Sequence, residues 1–491
     1  MRYYIGIDVG TSSTKSILID ADGNILRSAS ASYSVSEPTP GWREIDPEVW
    51  MQAVDTTVCE LLTDIDRSLV RSIGVTGQMH TLVLLDQQGR SIRPAFLWND
   101  ARTASLIPDM KQRIRALENV SYLADVISTG SPAANLLWFK ENEPENYARL
   151  HKFLIGPDYI VHRLAGGYRT DYCEASTSSL YDLTARVWSP AIRETFGFSS
   201  AIYPEVQGSG EVAGTLLPEL CEKYGLNPDV TVLVGTGDNP AAAIPTGCLA
   251  KKRPVMSFGT SGVLMFPRKQ PDFNARGKNI LFSLDGTDIA VLVQGVVQSC
   301  GGTLGWWVEK ILGTTDYGAE TMGIDPNRLA ESPLLFYPHL VGDKTIYADP
   351  SLRGCFIGLG TDVTRTDMVA AVLEGICFAV RQLVEAMEIP MAELENLRVI
   401  GGGSKNTIWM QILADVLGIS VIQMESNSGA GFGIALVAAA VSEGVPVEEK
   451  MNNLLFDKEK FTPQPHRAAL YQKKYQKYLR IHDAVCSIEA E

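Results

Sequence analysis

IGIDVGTSSTKSILI at residues 5–19 and PVMSFGTSGVLMF at residues 254–266 follow one plan: an apolar strand, a Gly-Thr-Ser turn and a second strand. One copy stands in each half of the chain, which predicts a duplicated α/β domain. In the first copy the glycines permit a tight turn that presents backbone N–H groups. Thr11, Ser12 and Ser13 add hydroxyls and Lys15 adds a positive charge, a set suited to a polyphosphate. Asp8, at the strand end, is positioned to hold Mg²⁺ through water, because that ion keeps much of its hydration shell beside phosphate oxygens. A single such hairpin reads equally well as a plain turn. The second, with Gly259, Thr260 and Ser261, favours the phosphate reading, since two hairpins from two halves can close on one phosphate chain. No G-x-x-x-x-G-K-[ST] P-loop occurs.

The chain has 491 residues, beyond what one hydrophobic core usually covers, so two domains are expected. The division is placed at 1–248 and 249–491, where Gly247 precedes CLAKKRP. Apolar residues make up 45% and charged residues 20%, ordinary for an α/β enzyme. The net charge of −14, with no basic cluster outside the C-terminal helix, argues against a nucleic-acid or anionic-membrane surface. Eight cysteines without CxxC pairs read as reduced core thiols. MRYYIGIDVG enters a strand directly, and the longest apolar stretch, residues 430–441, is shorter than the roughly 20 residues of a bilayer crossing. The expectation is a cytoplasmic protein, with a homodimer left open.

Between the hairpins, Asp46-Pro47 and Ser131-Pro132 mark helix starts, and the strands SIGVTG and TLVLLD flank a turn at Gln78, Met79 and His80. That turn offers an amide, an apolar contact and an imidazole for a small polyhydroxy ligand, although a lone His beside a strand is commonly a structural hydrogen-bonder. VLVGTGDNPAAAI at residues 232–244 presents Asp238 and Asn239 where a strand gives way to a helix. Either residue can be an N-cap, and Asp238 can equally be a general base. Against the base stands the field of a helix N-terminus, which favours the ionised carboxylate. Gly401, Gly402, Gly403, Ser404 and Asn406 lie between a strand and the helix of residues 407–417, where backbone can approach the adenosine part of a nucleotide. Trp98 of LWND can pack against one face of such a polyhydroxy ligand or fill the core, with the core favoured; Asp100 and Arg102 are assigned to a local ion pair, and Asp349 and Arg353 to loop stabilisation. Trp306-Trp307 is left between cleft and core. The C-terminal YQKKYQKYLRIH reads as a surface helix with its tyrosines inward.

Taken in order, IGIDVGTSSTK, GQMH, LWND, GTGDN, SFGTSG, DPSLRGCFIGL and GGGSKNTIWMQILADVLG resemble the FGGY family of carbohydrate kinases, and within it the xylulose kinases, from about residue 3 to about residue 440. The resemblance implies a two-domain, actin-like (ribonuclease-H-like, duplicated) ATPase fold with sugar and ATP meeting in the interdomain cleft. It implies Asp238 as catalytic base, with Gln78, Met79, His80, Asp238 and Asn239 on the sugar. The turns at residues 8–14 and 259–261 would flank the phosphates of MgATP, and residues 401–404 with Asn406 would lie by the nucleotide. The implied reaction is phosphoryl transfer to a primary hydroxyl of a ketopentose, first D-xylulose. Thr81, where those kinases carry Gly, and Pro240, where alanine is common, keep D-gluconate or another ketose or polyol as the alternative. An actin- or chaperone-like ATPase without a sugar substrate is the reading from a different class, and the QMH and GTGDN segments speak against it.

Overall fold

The computed structural model describes residues 2–249, 253–326, 329–425, 429–452 and 456–489. Two large mixed sheets carry the architecture. The first runs in the order Val212–Thr215, Thr231–Leu233, Val70–Gly77, Tyr3–Val9, Ser13–Asp20, Ile25–Ser32, with Thr236–Gly237 also paired to Val70–Gly77. The second runs Phe456–Phe461, Val421–Glu425, Leu397–Ile400, Val255–Phe258, Gly262–Arg268, Ala290–Val297, Lys278–Phe282.

These two orders are the same fold written twice. In the first, Tyr3–Val9 is antiparallel to Ser13–Asp20 and parallel to Val70–Gly77, which is parallel to Thr231–Leu233, with Val212–Thr215 antiparallel at the edge. In the second, Val255–Phe258 is antiparallel to Gly262–Arg268 and parallel to Leu397–Ile400, then Val421–Glu425, with Phe456–Phe461 antiparallel at the edge. The Gly-Thr-Ser hairpins thus occupy equivalent central positions, as the sequence echo predicts. Tyr3–Val9 is buried on both faces apart from Asp8, and so its sequence is an almost unbroken apolar run.

Local signals place the surrounding helices. Asp46 accepts from Glu48 N at 3.0 Å and starts the helix Pro47–Leu61. Asn406 accepts from Trp409 N at 3.0 Å to start Thr407–Leu417, which ends at a left-handed Gly418. Tyr471, Tyr475 and Tyr478 point inward from Pro465–Tyr478, as expected. All eight cysteines are free thiols; five are buried, but Cys59 is exposed, on the outer face of its helix rather than in the core. No helix among the described residues is long and apolar enough to cross a membrane.

One helix ties the halves together. Ala430–Glu443, from the second half, lies on Tyr3–Val9 and Val70–Gly77 of the first. The approach is so close that a Cβ at Gly6 would stand 1.9 Å from Gly431 O, and one at Gly74 2.6 Å from Ile434 O. Gly433 of the same helix would meet Ala241 O at 1.9 Å. Tyr4 Oη donates to Glu443 Oε1 at 2.7 Å to close the far end. Backbone against backbone cannot yield as a side chain does, so Gly6→Ala is expected to cost at least about 3 kcal/mol, the upper part of the overpacking range. Thermal unfolding checks it against Gly429→Ala, where a Cβ meets nothing within 4 Å and the midpoint should barely move.

Candidate active site

The ends of the two central strands carry the turns singled out in the sequence. At the first hairpin, Gly10 N donates to Ser13 O at 3.0 Å, and the Tyr33 hydroxyl donates to Gly10 O at 2.6 Å. Ser12 is exposed and Thr11 and Ser13 are partly so. Lys15 faces Asp8 directly across the antiparallel pair, so the two side chains share one face of the sheet. At the second hairpin Gly259 and Thr260 are exposed. Gly301 N and Gly302 N donate to Gly259 O at 3.0 Å and Thr260 O at 2.8 Å, bracing the turn from behind. A Cβ at Gly301 would lie 2.3 Å from Gly259 O, which explains the glycine pair in CGGTLG.

Asp238 opens the helix Asp238–Ala243, and the cap position belongs to Gly237 with no side-chain cap bond. The N-cap alternative for Asp238 or Asn239 therefore falls away. The expected lowering of its pKa is also reversed: Asp238 is pushed up to about 7, first by burial and then by the charge of Asp8, with its own and Asn239's backbone N–H opposing. Six residues make a short helix whose field does not outweigh burial. Asp8 is itself pushed up to about 6 by burial, with Lys15 pulling the other way. The two carboxyls thus form an interacting pair at the strand ends.

The Gln78–His80 turn sits on the seam between the first sheet and a four-stranded side sheet of Glu44–Ile45, Ala95–Phe96, Leu82–Leu85 and Lys152–Ile155. Gln78 N donates to Val9 O at 2.9 Å, while both atoms of its side-chain amide are buried without a protein partner. Met79 Sδ accepts from Asn239 Nδ2 at 3.5 Å, which brings the QMH and GTGDN segments together. His80 has φ 68, a left-handed conformation uncommon outside glycine, and Glu174 Oε2 holds its N–H at 3.3 Å. Its ring meets Lys278 of the second half, Nζ to Nε2 2.8 Å. Burial, Lys278 and Lys344 hold the imidazole well below its usual pKa.

Gln78, Met79, His80, Asn239, Asp238 and Asp8 are thus linked by contact or charge. The GGGSKN segment forms a separate turn. Gly401 is left-handed at φ 92 and packs on the Phe258 backbone, a Cβ at Gly403 would meet Trp409 and Phe258 below 3 Å, and Gly402 faces open space. Ser404 Oγ donates to Gly401 O at 2.8 Å, and Asn406 both caps its helix and donates to Thr321 Oγ1 at 3.1 Å. The hydroxyl and amide expected at the nucleotide are engaged in shaping the turn, which leaves the Gly402 backbone as its open side.

Three residues escaped the sequence reading. Trp98, expected chiefly in the core, is 44% exposed and donates through Nε1 to Thr11 Oγ1 at 3.0 Å, so it belongs to the edge of the first hairpin. Its LWND neighbours do form the expected pair, Arg102 to Asp100 at 2.8 Å, stacked within a buried cluster with Trp42, Phe96 and Trp138. Glu174 stands three residues after Asp171, whose side chain accepts from Glu174 N at 2.9 Å. That spacing reads as a capping box, but the Glu174 carboxylate turns to His80 instead. Lys278 has no local signal at all. Trp307 is buried and Trp306 is 37% exposed, which divides the pair between core and surface. Arg353 donates to the carbonyls of Pro350, Ser351 and Leu352, the loop role expected of it.

A duplicated sheet with hairpin turns at the ends of both central strands, beside a carboxylate pair and the polar Gln78–His80 turn, is the architecture of an actin-like phosphotransferase of the carbohydrate-kinase class. Residues 3–245 match the N-terminal domain and 255–442 the C-terminal domain of the FGGY family of carbohydrate kinases, and the chain belongs to that family. It is 32% identical to the xylulose kinase of Lactococcus lactis subsp. lactis and 31% identical to that of Bacillus subtilis, in each case across 98% of this chain and 97% of the relative. A crystal structure described as a "xyloylose kinase" from Brucella ovis superposes with a TM-score of 0.88 at 30% identity, covering 99% of this chain and all of that one. The protein is a sugar kinase similar to the xylulose kinases.

Because Asp8 raises Asp238, removing its charge should lower it. With Asp238 as the base that the family resemblance implies, a pH profile of kcat/KM is expected to show an acid limb near pH 7 that moves to lower pH in Asp8→Asn, whatever happens to the maximum. For stability, a carboxyl raised from its ordinary value to about 7 makes the folded chain bind more protons than the unfolded one between those values, so stability falls as pH rises through that window. Asp238→Asn should therefore raise the unfolding midpoint at pH 8 by a few degrees and leave it nearly unchanged at pH 4. An unshifted limb or an equal response at both pH values would count against the electrostatic account.

Proposed function

We propose that the protein transfers the γ-phosphoryl group of MgATP to a primary hydroxyl of a small sugar, with D-xylulose, giving D-xylulose 5-phosphate, as the first substrate to test. The relatives that share its whole length are described as xylulose kinases, which supports that choice. The observation that carries the mechanism is Asp238: half-buried, free of a capping role, held near neutral pKa, and joined through Asn239 and Met79 to the acceptor turn.

The residues fit the cofactor. Asp8 and Asp238 are like charges, Asp8 eased by Lys15 and Asp238 by backbone N–H groups, a pairing that a cation stabilises. Among the described residues no three His, Cys, Asp or Glu side chains gather as a metal cage, which suits an ion that keeps water and phosphate oxygens as most of its shell. MgATP, when bound, supplies the transferable phosphoryl group and an ion that neutralises charge building on its oxygens. In this reading Asp8 holds the metal through water, and Thr11, Ser12, Ser13 and Lys15 face the phosphates from one half. Gly259, Thr260 and Ser261 face them from the other. Gly401, Gly402 and Gly403, in a turn shaped by Ser404 and Asn406, receive the nucleoside. Gln78, Met79, His80 and Asn239 orient the sugar. Asp238 aligns the acceptor hydroxyl and accepts its proton as the new bond forms, late in a loose transition state, so that a base of pKa near 7 suffices. The halves, divided at residues 248–249, close to exclude water and favour transfer over hydrolysis. The site of action is the cytoplasm.

A second reading, D-gluconate as acceptor, is favoured by Thr81 and by the ammonium beside His80. The test is acceptor-dependent ADP release with D-xylulose, D-gluconate and other ketoses and polyols. D-xylulose should give the highest kcat/KM, and Asp238→Asn should reduce it by at least about 100-fold. A better constant for another acceptor would replace the sugar, whereas ADP release indifferent to every acceptor would replace the kinase reading with an ATPase.

A further inference from the structure

We propose that Lys278 is a substrate-binding residue of the acceptor pocket, its ammonium taking an sp² oxygen of the acceptor, a ketose carbonyl or an aldonate carboxylate, and thereby setting the preference between neutral and charged acceptors. The inference rests on the sugar-kinase reading above.

Its position follows from packing between the halves. Lys278 begins the strand Lys278–Phe282, and Leu281 N of that strand donates to Ser176 Oγ at 3.0 Å. Ser176 lies on the helix Tyr172–Thr177, which also carries Glu174, the residue holding His80 N. The same helix therefore fixes both His80 and the strand that delivers Lys278 to it.

The chemistry of the contact is directional. An ammonium only donates, so His80 Nε2 accepts and the ring is neutral, with its proton on Nδ1. This occupies one of the three Lys278 N–H groups and leaves two. Among the described residues Lys278 joins no ion pair within 4 Å, unlike the buried Lys474, which is paired with Glu374. The groups that face it are His80, Lys344, Cys173 and Glu174. His80 is neutral, Lys344 has the same sign, and burial pushes both the Cys173 thiol and the Glu174 carboxyl well up, toward their uncharged forms. Burial lowers Lys278 only to about 8, so the ammonium persists at neutral pH.

A positive charge with no ion-pair partner within 4 Å among the described residues is therefore placed beside the Gln78–His80 turn of a chain whose net charge is −14. Lys278 is half-buried, and withdrawing such a charge even partly from water is costly unless an oxygen acceptor meets it. Two residues before His80, the Gln78 amide is likewise buried with both atoms unpaired, so the same turn offers further donors and acceptors that the protein does not satisfy. A polyhydroxy compound with one sp² oxygen matches both. A carboxylate gains more from the ammonium than a carbonyl does, and a polyol lacking either gains least.

The experiment compares D-gluconate, D-xylulose and xylitol, each as substrate or, where turnover is absent, as competitive inhibitor, in wild type, Lys278→Met, Lys278→Arg and Lys344→Ala. Lys278→Met should weaken gluconate by about 50-fold or more, xylulose by about 5- to 10-fold and xylitol by less than twofold, as expected from losing a charge-assisted rather than a neutral hydrogen bond. Lys278→Arg should restore part of the gluconate loss, and KM for MgATP should stay within threefold. Lys344→Ala, at an exposed position, should lower the gluconate-to-xylulose ratio by about threefold and keeps the test open if Lys278→Met does not fold. Equal losses on all three compounds, or an unchanged ratio in every variant, overturn the proposal. Failure of wild type to phosphorylate any acceptor overturns the sugar-kinase reading itself, and is seen before a variant is made.

Discussion

The structure depends on one close approach: the helix Ala430–Glu443 laid against the strands Tyr3–Val9 and Val70–Gly77 with glycine at the points of contact. Those strands end in Asp8 and in the Gln78–His80 turn, and the same helix touches, through Gly433, the short helix headed by Asp238. The carboxylate proposed for the metal, the turn proposed for the sugar and the proposed base are therefore registered by a single packing contact from the opposite half of the chain. Side chains on both surfaces would hold the backbones several ångströms further apart. The base would then move away from the strand ends by a distance that in-line phosphoryl transfer does not tolerate.

Electrostatics in this region is governed by burial more than by the partial charge of helix ends. Asp238 sits where a helix begins, yet desolvation and the neighbouring Asp8 push it up to about 7. Burial also pushes Glu174 up, and its carboxyl accepts from His80 N while forming no ion pair with Lys278 among the described residues. The acid pair and the Lys278–His80 contact are linked through Met79 and Asn239. The proposed site thus combines a carboxylate pair with a hydrogen-bond-donating cation, within a chain that is acidic overall.

Much of this could be read before any coordinates. The paired hairpins announce the duplicated sheet because a strand-turn-strand signal is local, and glycine and hydroxyl residues mark where backbone must be exposed. The Asp46 and Asn406 caps and the inward tyrosines of Pro465–Tyr478 follow from spacing within a few residues. Trp98 departs from the expected core position because apolar size alone predicts burial, whereas its indole N–H finds Thr11, 87 residues away in sequence. Glu174 was hidden behind a capping-box spacing that its backbone satisfies and its carboxylate does not. Lys278 lies 198 residues from His80, and no periodicity or composition marks such a contact.

What the sequence alone determined was the repeated sheet, the two turns and the segments that bear the chemistry, since each is encoded by neighbours along the chain. What only the tertiary structure decided was the state of those groups: a proton affinity near neutrality for Asp238, the tautomer of His80 and the placing of Lys278 on its ring. Burial and distance set these properties, and both are fixed by which surfaces pack together, a quantity that no local stretch of residues contains.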